Sequence, residues 1–120
     1  MPERAPTKIL TVRFFRSGNG KEPMRLWLQD LSKEERRIVG EDIKTVETGW
    51  PLGMPLVRNL GQALWEIRVS LPRGIARILF CIRKSEMILL HAYEKKSQKA
   101  PKKELDIARK RIKDVEENEL

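Results

Sequence analysis

The stretch Leu64–Pro101, LWEIRVSLPRGIARILFCIRKSEMILLHAYEKKSQKAP, constrains this chain more than any other part of it. Three runs rich in Ile, Leu, Val and Phe (Leu64–Val69, Gly74–Ile82 and Met87–Tyr93) are separated by Pro72-Arg73-Gly74 and by Arg83–Glu86. Apolar runs bounded by turn residues read as strands, and consecutive strands joined by short turns form an antiparallel meander. Between Arg68 and Lys84 the stretch holds five basic residues (Arg68, Arg73, Arg77, Arg83 and Lys84) and no acid. Arginines set among apolar strand residues, with a lysine-rich exit, predict a surface shaped for phosphate and make RNA the first candidate partner.

The flanking segments read as helices. Ile9–Phe15 (ILTVRFF) is β-branched and aromatic and predicts an opening strand, with a turn at Ser17–Gly20. Pro23 sits where a first helical turn tolerates its missing N–H, and Met24, Trp27, Leu28 and Leu31 follow at helical spacing. Ser32 and Glu35 have capping-box spacing, and behind them Val39, Ile43, Val46 and Trp50 share one face. Gly49 is expected to supply a left-handed stop before Pro51. The two helices are expected to form a hairpin, with Trp27 and Trp50 in the core.

Pro51–Gly61 reads as an irregular bridge. Pro101 opens a last helix with Leu105, Ala108, Ile112 and Val115 on one side, and the acidic tail 114–120 is expected to fray. The class is α+β: an antiparallel sheet core with an N-terminal helical hairpin and a C-terminal helix, in the order β-α-α-β-β-β-α.

Length and charge bound the rest. A chain of 120 residues has room for one core, so residues 1–120 are expected to form a single domain. A formal net charge of +8 favours a polyanionic partner, nucleic acid or a membrane surface. The N-terminus lacks the apolar stretch of a signal peptide and no run reaches transmembrane length, which predicts a cytoplasmic protein with no membrane partner. Cys81, the single cysteine, lies in an apolar run and is expected to be a buried, reduced thiol. One His and one Cys do not make a zinc site, and no metal or other cofactor is expected.

Strand alternation selects the candidate functional residues. Ile75, Arg77, Leu79 and Cys81 fall on one face of their strand, and Ala76, Ile78, Phe80 and Ile82 on the other. A mid-sheet arginine is costly unless it is paired or faces a ligand, so Arg77 either binds phosphate or an internal acid such as Glu66. In the last strand Leu89, His91, Tyr93 and Lys95 are expected to share a face. His91 is a proton-transfer candidate or a satisfied structural residue. Tyr93 can stack on a base, donate its hydroxyl or complete the core. Lys95, Lys96 and Lys99 lie between a strand end and a helix start, a good location for phosphate contacts.

The segments LWEIR, then G-x-A-R-I-L-F, then L-L-H-A-Y-E-K-K-S-Q-K-A-P resemble the HigB-like branch of the RelE/ParE toxin superfamily, whose members are often labelled phage-derived proteins. The resemblance runs from Thr11 to Val115 and includes Pro23, Trp27, Leu28 and Leu31 as a P-x-x-x-W-L-x-x-L pattern. Ala92, Tyr93 and Ser97 depart from the family's usual glycine, phenylalanine and threonine. The resemblance implies a RelE-like fold and a type II toxin that cuts mRNA on the translating ribosome without a metal. It also implies silencing by a helix-turn-helix, HigA-like antitoxin.

By position, the resemblance makes Arg77 the arginine at the scissile phosphate, flanked by Arg68, Lys95 and Lys96. It places His91 and Tyr93 where related toxins hold an acid–base group or a stacking aromatic. Arg73, Lys99, Lys102 and Lys103 complete the expected contacts with RNA and ribosome. The same superfamily leaves open a ParE-like gyrase inhibitor, and the residues leave open a non-catalytic RNA-binding protein.

Overall fold

The computed structural model describes residues 9–94 and 101–118. Five strands, β1 (Thr11–Phe14), β2 (Val57–Gly61), β3 (Leu64–Leu71), β4 (Gly74–Arg83) and β5 (Glu86–Glu94), form one sheet in the order β1-β5-β4-β3-β2. The pairs β2–β3, β3–β4 and β4–β5 are antiparallel, and β1 joins the far edge parallel to β5. Helices α1 (Pro23–Gln29) and α2 (Lys33–Gly49) lie on one face of the sheet, and α3 (Lys102–Asn118) lies on the other. The α+β class and the three-strand meander are as the sequence predicts.

Each face buries its own apolar cluster. Met24, Val39, Ile43 and Val46 from the two helices, with Leu31 from the turn between them, meet Ile67, Val69, Ile78, Phe80, Met87 and Leu89. Trp27 and Trp50 are half-buried against this cluster and not inside it, and Trp50 packs edge-on against Trp65 and Phe80. On the opposite face Ala108, Ile112 and Val115 of α3 cover Leu64, Leu79, Cys81, Ile88 and Leu90. Cys81 is buried, as its apolar run predicts.

The capping box is present: the Ser32 hydroxyl accepts from the Glu35 N–H, and the Glu35 carboxylate accepts from the Ser32 N–H, both at 3.1 Å. Glu47, near the far end of α2, accepts the Ile9 and Leu10 N–H groups at its carbonyl and the Val12 N–H at its carboxylate. It thereby ties β1 to the helix layer.

Four details differ from the sequence-based expectations. The stretch read as an irregular bridge contains β2, which pairs with β3 through a two-residue turn. Gln62 and Ala63 both adopt positive φ, 51° and 67°, the backbone of a type I′ hairpin built without the usual Asn-Gly. Gly49 is not a left-handed stop; α2 ends because Trp50 is extended (φ −57°, ψ 138°), as the residue before Pro51 tends to be. The acidic tail, expected to fray, is helical where it is described, since α3 runs to Asn118 with Val115 buried. Finally, β5 carries a bulge: Leu79 pairs with His91 but Phe80 pairs with Leu89, leaving Leu90 unopposed. Leu89 therefore packs on the α1–α2 side and not on the face of His91.

Gly40 lies in the middle of α2, exposed, and a methyl group there would meet nothing within 4 Å. Gly40→Ala is expected to stabilise the fold by about 1 kcal/mol, read as a higher urea midpoint with an unchanged slope.

Candidate functional site

On the sheet face that carries α3, register sets the polar residues in two rows. The first runs Arg58–Glu66–Leu79–His91 across β2, β3, β4 and β5, and the second runs Arg68–Arg77–Tyr93 across β3, β4 and β5. Residues directly opposite in such pairs stand about 5 Å apart at Cβ, and diagonal neighbours are within reach of long side chains. Arg77 uses the diagonal: its guanidinium donates to Glu66 Oε1 at 2.6 Å, with only 8% and 3% of the two side chains exposed.

The neighbour of Arg77 along the row is Arg68, a like charge. Arg58 and Arg68 are exposed, and among the described residues neither guanidinium is paired with an acid. The Arg77 Nε is buried with no hydrogen-bond partner among the described residues. Register thus sets three arginines on one face around a single carboxylate that only Arg77 contacts, an arrangement with unfilled capacity for an anion.

Tyr93 ends the second row and is buried. Burial raises the ionisation range of its hydroxyl, with Glu66 adding to the shift and Arg77 opposing it; weaker effects of Glu104 and Arg58 follow the same signs. The phenol therefore remains a proton donor well into the alkaline range.

His91 is not a free acid–base group. Its Nε2 lies 2.5 Å from Glu104 of α3 and its Nδ1 lies 3.3 Å from Arg111 of the same helix. A guanidinium can only donate, so Nδ1 accepts and the ring proton sits on Nε2, directed at Glu104. Arg111 also donates to the Leu90 carbonyl at 2.7 Å, the backbone released by the bulge, and lies over the Phe15 ring. Burial lowers the pKa of Arg111. Both nitrogens of His91 are thus spent on holding α3 to β5, the structural alternative for this residue.

The remaining candidates separate clearly. Arg77 is not an open-face residue: it is buried against Glu66, the internal acid that sequence alone offers as its alternative partner. Arg73 is not free for a polyanion, because it bridges Glu35 at 2.8 Å and Glu94 at 2.5 Å and so ties the start of α2 to the end of β5. The Glu35 carboxyl is held below its ordinary range, chiefly by the Ser32 N–H. Lys102 and Lys103 are exposed in the first turn of α3. Lys95, Lys96 and Lys99 lie outside the described residues.

Sequence reasoning missed Arg58, Glu104 and Arg111. Arg58 becomes visible only once β2 is recognised as a strand in register with β3. Glu104 and Arg111 sit seven residues apart on one face of α3, a spacing that could have marked them as a pair directed at the sheet.

A family model described as Phage derived protein Gp49-like (DUF891) matches residues 26–113, a span that contains both rows and the His91 clamp. No curated protein matches the chain.

Removing either partner of the Arg77–Glu66 pair leaves a buried charge. Arg77→Ala and Glu66→Ala are each expected to cost about 3–5 kcal/mol in urea denaturation, and the double change Glu66→Leu with Arg77→Met to recover most of that loss. Tyr93 is the only tyrosine, so absorbance titration reads it alone. Its midpoint is expected above that of the urea-unfolded chain, which lies near pH ~10. The unfolded chain then ionises first, so the tyrosine's contribution to stability is present below that pH and falls as pH rises through the folded value. Coincident folded and unfolded midpoints would contradict the burial of this hydroxyl.

Proposed function

The chain belongs to the Gp49-like family of phage-derived proteins, and from that membership and the two rows we propose that it is a HigB-like type II toxin: a ribosome-dependent, metal-independent mRNA endoribonuclease. One observation carries the reading. Arg58 and Arg68 present unpaired guanidiniums beside a third, Arg77, which Glu66 fixes in place next to Tyr93.

Cleavage of this kind forms a bond between the ribose 2′-oxygen and the adjacent phosphorus and breaks the bond from phosphorus to the 5′-oxygen. The 2′-hydroxyl loses its proton to solvent hydroxide, the leaving oxygen gains one from a proton donor of the site that solvent then reprotonates, and the products are a 2′,3′-cyclic phosphate and a 5′-hydroxyl. Extra negative charge collects on the phosphoryl oxygens in the transition state. Fixed cations stabilise that charge without having to reorganise.

Arg58 and Arg68 are the contacts that reach the phosphate. Arg77, held by Glu66, adds its charge from beneath, and Tyr93 supplies the proton to the leaving oxygen. Lys102 and Lys103 extend the cationic surface along the RNA and ribosome, and the sequence assigns Lys95, Lys96 and Lys99 to the same contacts. His91 keeps α3 seated over the sheet. A helix-turn-helix antitoxin is the partner that this reading requires.

The test is incubation of the purified protein with end-labelled mRNA, with and without programmed ribosomes. Cuts are expected only with ribosomes, and Arg58→Ala with Arg68→Ala is expected to slow them by about 100-fold or more while the circular dichroism spectrum is unchanged. Intact RNA in both lanes, or undiminished cutting by the folded double variant, would overturn the reading.

A further inference from the structure

β2 is shorter than the strand it pairs with. Its register with β3 runs only to Val57 opposite Ile67, and the last hydrogen bond on that side is from the Arg68 N–H to the Leu56 carbonyl at 2.8 Å. Beyond it β3 is an open edge. Backbone groups alternate sides along a strand, so the groups that point outward here are the Arg68 carbonyl and the N–H and carbonyl of Ser70.

A groove of about 430 Å³ lies along this edge, lined by Ile38 and Asp42 of α2, by Pro55 and Leu56, and by Arg68 and Ser70. The two β3 residues that line it are those whose backbone groups face outward. Asp42 is half-buried, and its carboxylate has no hydrogen bond or ion pair among the described residues. Burial raises the pKa of its carboxyl, with Glu41 adding to the shift, so the charged form gains from any N–H donor brought to it.

The groove has a definite hydrogen-bonding character. It offers acceptors at two backbone carbonyls and a carboxylate, a donor at the Ser70 N–H, and the Ser70 hydroxyl for either role. Its other walls, Ile38, Pro55 and Leu56, are apolar and suit a flat ring. A ligand that fits is planar and carries more donors than acceptors along one edge. Guanine meets both conditions, with N1–H and the N2 amino group side by side and O6 as the neighbouring acceptor. Uracil does not, with one donor between two acceptors.

Arg68 links this groove to the phosphate site, since its backbone lines the groove while its guanidinium belongs to the second row. We propose that the groove between α2 and the open edge of β3 is the base subsite of the cationic rows and binds guanine. Asp42 accepts from N1–H and the amino group, Ser70 N–H donates to O6, and the attached phosphate rests on Arg68. This subsite rests on the nuclease reading and gives it a base preference.

The test is titration of the full-length protein with guanosine 3′-monophosphate, uridine 3′-monophosphate and inorganic phosphate, followed by amide chemical shifts. The guanosine nucleotide is expected to bind about tenfold or more tighter than the uridine nucleotide and to shift the amides of Asp42 and Ser70. Asp42→Asn is expected to remove that advantage while leaving the affinity for inorganic phosphate unchanged. Ser70→Pro, which deletes the N–H at an unpaired edge position, provides a second variant with the same expected loss. Equal binding of both nucleotides, with shifts confined to Arg58, Arg68 and Arg77, would overturn the base subsite and leave the nuclease reading standing. No binding of any of the three would overturn both.

Discussion

The Arg77–Glu66 pair is the interaction on which the arrangement of the candidate site depends. Two opposite charges in the middle of a sheet are worth little as stabilisation, because desolvating them offsets most of their attraction. Their value here is positional. Glu66 takes the diagonal to Arg77 and so fixes the orientation of a guanidinium that would otherwise lie opposite Arg68 with nothing between them. The pair thus holds positive charge in the sheet where a mobile side chain would turn away to water, and it leaves Arg58 and Arg68 at the rim to meet a ligand.

A second constraint sets the other half of the site. The bulge at Leu90 removes one residue from the β4–β5 ladder, which turns His91 and Tyr93 onto the face of Arg77 and exposes the Leu90 carbonyl to Arg111. Bulges commonly re-aim side chains in this way. Glu104 and Arg111 then grip the His91 ring from both sides, so the position of α3 and the position of the site are fixed by one group of side chains.

Much of the fold was legible because it rests on local chemistry. The capping box at Ser32, Pro23 at the head of α1, and the strands either side of Pro72-Arg73-Gly74 all announce themselves within a few residues. β2 did not, because its hairpin is turned by Gln62 and Ala63, residues with no turn signature, and because prolines precede it. With β2 hidden, Arg58 had no place in the sheet. The site residues were legible by type and not by state: alternation put Arg77 on the correct face, but whether it met Glu66 or solvent depended on a diagonal that only register reveals. Strict alternation also failed at Leu89, where the bulge adds a residue that no composition rule marks.

α3 closes the molecule in a way that bears on how the chain is made. Its residues Ala108, Ile112 and Val115 cover Leu64, Leu79 and Leu90, and Arg109 reaches the carbonyls of Leu60 and Gly61 and the side chain of Gln62 in the β2–β3 turn. All of these contacts come from a helix that follows every strand in chain order. Until it arrives the sheet has one apolar face bare, His91 has neither Glu104 nor Arg111, and the β2 hairpin lacks its clasp. A growing chain therefore completes its cationic face only once α3 has followed the strands it covers, which ties any activity of that face to the docking of this helix.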